Sequence, residues 1–250
     1  MKHGATTRLL GACVITLIFL ALVVMSTNVS AQPRRDQGEL RGLKLGLDAA
    51  SMSTDSWGEF ACGSNGGPPR QRIFDWSEFA KCRAEDNDLH EVYARFDDEN
   101  DYVGRATDDP VTLGRVGTRV AGHPIVLSVL FDRDGILRGL RFVSDPRGDP
   151  AARRMAHLLR LAIINRYEPS GWTCVDTPLA AGETSVGGIF LKQRCEKLSA
   201  ERYLMVEARL LRKPGQNDID PATGEYTQGQ FESWTRFELF DPAVVKPAGK

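Results

Sequence analysis

The chain has no surplus of either charge: 32 basic residues face 33 acidic ones, a formal net charge of −1. Without a global positive field it has no electrostatic footprint for nucleic acid or for an anionic bilayer, which disfavours a dedicated DNA binder. Chemical signatures are missing too. No Gly-x-Ser-x-Gly elbow, phosphate loop, dinucleotide fingerprint or kinase set occurs, so serine hydrolase, NTPase and Rossmann oxidoreductase lose their usual support and no cofactor is implied. The histidines after residue 31 (His90, His123 and His157) stand far apart, outside any His-Glu-x-x-His pattern. His90 beside Glu91 has the chemistry of an acid or base, but a lone histidine on a strand edge is ordinarily structural.

Long apolar runs are equally scarce. Residues 9–25 form one uncharged stretch, preceded by Lys2, His3 and Arg8 and followed by Ser26-Thr27-Asn28. Val29-Ser30-Ala31 then offers the small residues of a secretory cleavage site, so 1–31 reads as a signal peptide, with an uncleaved anchor as the rival because the run reaches the short limit of a bilayer span. Leu10-Gly11-Ala12-Cys13 has the spelling of a lipoprotein site, but nearly all of the apolar stretch follows it. Either reading exports the remainder to the periplasm or beyond, or leaves it anchored in the inner membrane and facing the periplasm.

Beyond the leader there are four cysteines, Cys62, Cys82, Cys174 and Cys195. Three pairings are possible. Spacing favours two local bridges, Cys62 with Cys82 and Cys174 with Cys195, because each first cysteine leads into a Gly/Pro-rich bend before its neighbour. Closing loops of this length contributes about 3 kcal/mol in the chain-entropy picture. A redox or nucleophilic role lacks Cys-x-x-Cys and a nearby histidine, and zinc lacks the finger spacing.

Residues 32–39 are polar and read as a tether. A first α+β segment spans 40–121 and a second 122–250, or the two form one continuous domain. Asp48 is placed to cap a short helix over Ala49 to Ser56. Strands are expected at Glu91 to Phe96, Pro124 to Phe131, Ile136 to Val143, Val186 to Lys192, Arg202 to Leu211 and Phe231 to Phe240, with Asp134-Gly135 marking a hairpin. Asp149-Pro150 opens the best helix, running to about residue 167. Its expected apolar stripe is Met155, Leu158, Leu159, Ala162 and Ile163, with Arg153, Arg154, Arg160 and Arg166 left wet. The fold class is therefore α+β: a mostly antiparallel β-sheet covered by one long and one short helix, disulfide-stapled, in a layout that suggests a tandem repeat.

The Gly42-Leu43-Lys44-Leu45-Gly46 start before a short helix, and the hairpin, long helix and Asn165-Arg166-Tyr167 end, resemble small exported bacterial α+β proteins of the BamE and β-lactamase-inhibitor type. The resemblance covers two short segments. It implies a protein-binding or envelope-assembly role, with an envelope protein as partner.

Two charge clusters stand out. Residues 85–109 are strongly acidic, and Asp97, Asp98, Glu99 and Asp101 are the candidate calcium ligands; Tyr102, however, sits where an EF-hand loop needs glycine, so a solvated acidic loop is the simpler reading. Asp218, Asp220 and Glu225 are a weaker second set. Arginines crowd residues 133–166, and Arg153, Arg154 and Arg160 are the candidate surface for an anionic partner; the alternative is that these arginines complement the acidic run inside the fold. Trp57, Trp76, Trp172 and Trp234 read as packing residues. The sequence thus points to an exported binding or envelope-associated protein, with an exported hydrolase built from distant carboxylates as the alternative.

Overall fold

The computed structural model describes residues 40–96, 118–167, 169–216, 222–225 and 230–245. The chain divides into two units, Met1–Leu43 and Lys44–Lys250. In the first, Leu40 and Leu43 close a tight turn, the Leu43 N–H donating to the Leu40 carbonyl at 2.9 Å.

The described part of the second unit is mostly one antiparallel sheet with few helices and two disulfides. Its strands are β1 (Trp57–Cys62), β2 (His90–Phe96), β3 (Arg119–Val120), β4 (His123–Phe131), β5 (Leu137–Ser144), β6 (Thr173–Asp176), β7 (Leu191–Leu198), β8 (Tyr203–Leu211) and β9 (Glu232–Phe240). They lie in the order β1-β2-β4-β5-β9-β8-β7-β6, with β3 a two-residue flap on β4. That order reads the same from either edge: each half is a four-stranded meander, and the halves meet through their last strands, β5 and β9. Because β2 pairs with β4, strands from either side of residue 121 share the sheet.

Side chains paired across the ladders share a face. One row on the helix-covered face runs Leu127, Phe142, Phe237, Val206, Cys195, Cys174 from β4 to β6. Phe142 and Phe237 pack at 4.9 Å, and Tyr167 stacks on Phe237 at 5.1 Å. Near β1 the core is aromatic: Trp76 packs edge-on against Trp57, Phe60 and Phe131, and its indole N–H donates to the Ser53 carbonyl. The opposite face carries the polar row Tyr93, Ser128, Arg141, Glu238, Met205, Glu196.

The stretch after Asp149 is helical in three pieces, not one long helix: α1 (Pro150–Arg154), a 3-10 turn (Ala156–Leu158) and α2 (Leu159–Arg166). The Asp149 carboxylate caps the first, accepting from the Ala152 N–H. The break has a cause on β9. Thr235 Oγ1 donates to the Ala156 carbonyl at 2.8 Å, and Ser233 Oγ accepts the His157 N–H while donating to the Arg154 carbonyl. These hydroxyls satisfy backbone groups that a continuous helix would bond internally and pull the turn onto the sheet. The phase is reset. Ala156, Leu159 and Ile163 are buried, whereas Met155, Leu158 and Leu161 stand 49%, 42% and 49% exposed, so two residues of the expected stripe face out.

Other expectations shift as well. The short helix is a 3-10 turn at Ala49–Ser51, capped by Asp48 as expected. The strand expected at Val186 to Lys192 lies later, at β7, because Val186 and Ile189 close their own tight turn. The edge strands β1 and β6 had no reading as strands in the sequence. Both local disulfides are present, Cys62–Cys82 and Cys174–Cys195. They point to an oxidising, extracytoplasmic compartment. Among the described residues no helix is long and apolar enough to cross a membrane, and residues 1–31, read from the sequence as a signal peptide or anchor, lie outside them.

Candidate functional site

The polar face of the sheet buries an ion cluster. Arg141 of β5 is paired with Glu85 at 2.6 Å, with Glu238 of β9 at 2.8 Å and with Glu91 of β2 at 3.2 Å. Burial works against the guanidinium charge, but the three carboxylates hold it more firmly protonated than usual. Burial likewise works against ionised Glu238, and Arg236 and then Arg141 outweigh it, holding that carboxyl below its ordinary value. Glu91 also accepts the Asn65 N–H at 2.5 Å, and the Arg236 guanidinium donates to the Asn65 side chain. The glycines of the 63–67 bend are required here. A Cβ on Gly63 would lie 2.3 Å from Glu91 Cγ, and Gly66 adopts φ +80° against Val143.

Between this bend and residues 81–87 lies a polar cleft of about 670 Å³, with Arg70 and Arg83 among its lining residues and Glu85 and Glu91 in its wall. It gathers carboxylates from distant segments, as a hydrolase would need. Both are turned onto Arg141, however, and His90 is not with them: its ring bonds the Cys82 carbonyl through Nδ1 at 2.6 Å and packs against Phe79. The cluster therefore spends its acceptors on a buried cation, which is the arrangement of a structural tie.

A second cleft, of about 340 Å³, opens where α1 crosses the ends of β5 and β9. Arg153, Arg154, Ser144, Ser233, Glu232 and Trp234 are among its lining residues. Arg153 and Arg154 are exposed, and neither has an ion-pair partner among the described residues. The acids nearby are already engaged: Asp145 by Arg147, Glu232 by Lys213 and the Trp234 indole N–H. Arg209 lies 5.1 Å from the Trp234 ring on the open face of the sheet. That open face is otherwise self-neutralised by pairs two residues apart along the strands, Arg194–Glu196, Glu207–Arg209 and Arg236–Glu238.

The three candidate arginines separate. Arg153 and Arg154 share the second cleft, but Arg160 turns toward β7, where its guanidinium donates to Gln193 Oε1 and its Nε is buried without a partner. The phase reset at residue 155 is the reason: it places Arg160 over the sheet. Within the same arginine-rich stretch, Arg138 binds Asp132 and Asp241, and Arg147 binds Asp145. The idea that these arginines complement the acidic run holds for Arg141, whose partners Glu85 and Glu91 belong to it.

The histidines are less scattered than their spacing implies. His123 and His157 interact electrostatically, and burial first, then this mutual repulsion, lowers the pKa of His123. His157 Nδ1 lies 3.1 Å from Ser233 Oγ at the second cleft. No sequence signal foretold that pairing. The calcium candidates Asp97, Asp98, Glu99 and Asp101, with Asp218 and Asp220, lie outside the described residues. Among the described residues no group of three His, Cys, Asp or Glu side chains is arranged to hold a metal ion. Compared with family models, curated proteins and solved structures, the chain has no match.

Proposed function

We propose that this is an exported binding module of the bacterial envelope that engages an anionic surface of another protein through the α1 cleft. The observation that carries the reading is the pair Arg153 and Arg154, two cations without ion-pair partners among the described residues, flanking a cleft whose wall includes Trp234. Arginine and tryptophan are the residue types that supply most binding energy at protein interfaces. Asp145 and Glu232 are paired with Arg147 and Lys213, which leaves the two arginines open to a partner. The palindromic strand order supports a tandem origin, and the resemblance to exported inhibitor-type and assembly-type proteins supports protein binding by analogy. Export through the 1–31 leader, cleaved or retained, belongs to the same reading.

The test is a cross-linked pull-down from the envelope fraction, with the captured protein identified by mass spectrometry. Arg153→Glu with Arg154→Glu abolishes capture of that protein while the thermal midpoint stays within a few degrees; undiminished capture refutes the assignment. Trp234→Ala weakens it, by roughly 1–2 kcal/mol for an aromatic residue in the cleft wall.

A further inference from the structure

The two disulfides differ in ways that matter for their chemistry. Cys62 and Cys82 are both buried, at 7% and 3% exposure, where the end of β1 meets the 3-10 helix over Trp76–Lys81. Cys174 lies on β6, the outermost strand, all four of whose residues are exposed; its partner Cys195 is at 0% exposure in the core row. The bond joins residues directly opposite each other on β6 and β7.

A cation stands one amide group away from the buried sulfur. Cys195 Sγ lies 3.2 Å from Gln193 Oε1, and the Arg160 guanidinium donates to that same oxygen. Arg160 Nε is buried and has no hydrogen-bond partner. Gln193 Nε2 donates in turn to Asp176 of β6 at 2.8 Å, so one carboxylate tempers the cation from the strand edge. A nearby guanidinium stabilises thiolate over thiol, and a stabilised thiolate is the better leaving group in disulfide exchange.

We propose that Cys174–Cys195 is a thiol–disulfide exchange site, reducible in the folded protein by an extracytoplasmic dithiol, while Cys62–Cys82 is a permanent staple. A thiolate of the dithiol attacks exposed Cys174 Sγ. The S–S bond breaks, its electron pair passes to Cys195 Sγ, and the new thiolate feels the Arg160 charge across the Gln193 amide. The second thiolate of the dithiol then attacks its own sulfur in the mixed disulfide and releases the Cys174 thiolate, which takes a proton from water. Two electrons have moved: the dithiol leaves as a disulfide and the protein holds two reduced cysteines. Strand β6 loses the covalent tie to β7 and keeps the four-residue ladder.

The test is differential alkylation of the natively expressed protein across graded ratios of reduced to oxidised dithiothreitol. Peptide mapping reads each cysteine, and near-ultraviolet circular dichroism reports the fold. Cys174 and Cys195 become alkylated at ratios that leave Cys62 and Cys82 protected and the fold intact. Arg160→Met raises the ratio required roughly three- to tenfold, because the leaving thiolate loses its cation, and Asp176→Asn lowers it. Both bridges yielding together, or Cys174–Cys195 yielding only on unfolding, overturns the proposal. So does an unchanged ratio in folded Arg160→Met. Should that variant fail to fold, Asp176→Asn on the exposed edge decides, and an unchanged ratio there counts against the site.

Discussion

Arg141 Nη1 and Glu91 Oε2 face each other at 3.2 Å with both side chains at least nineteen-twentieths out of solvent. The pair joins β5 to β2 across β4, and through Asn65 it fastens the 63–67 bend onto the sheet. Removing one partner of such a pair strands the other in a poorly solvated place.

Arg141→Met is therefore expected to cost about 3–5 kcal/mol in urea-induced unfolding. Adding Glu91→Gln to it should restore part of the loss, because the second change removes the stranded charge and keeps an acceptor for Asn65. No recovery in the double variant would mean that Glu238 and Glu85, not Glu91, set the penalty.

Trp76 is 1% exposed and touches three other aromatic rings, so truncating it opens a cavity that its surroundings cannot close. Trp76→Ala should lose about 3–5 kcal/mol, read from the denaturation midpoint at unchanged slope.

The two disulfides close loops of nearly equal length, separations of 20 and 21. Replacing either pair by alanine should lower stability by about 3 kcal/mol, since the constraint acts on the unfolded chain. A much smaller effect at Cys174 and Cys195 alone would show that the unfolded chain is already compact around β6 and β7.

Stability should also fall with acid in two windows. Burial holds His123 and His157 below the usual histidine value of 6.5, so the unfolded chain takes up their protons first. Folding is therefore expected to weaken as pH drops through about 6.5. Glu238 and Asp132 titrate below their ordinary 4.5 and 3.8, so their contribution is present above those values and lost beneath them. Thermal midpoints recorded from pH 8 to pH 3 test both windows, and His123→Gln should flatten the upper one.

Periodicity made the central strands legible: β2, β4, β5, β8 and β9 fall within a residue or so of their sequence patterns, and the Asp134-Gly135 hairpin closes where expected. The edge strands were not legible, because β6 is four exposed residues with no alternation to read. The arginine surface was half legible. Arg153 and Arg154 stay outward, but Arg160 obeys a helix phase set by hydroxyls about seventy-five residues away in sequence.

The sequence by itself determined the local cysteine pairing and the antiparallel class, because these depend on short spacing and local alternation. Only the tertiary structure decided which arginine meets which carboxylate, where the long helix breaks and which cysteine faces solvent. Those outcomes depend on strand order and on groups far apart in the chain, and no local pattern encodes that proximity.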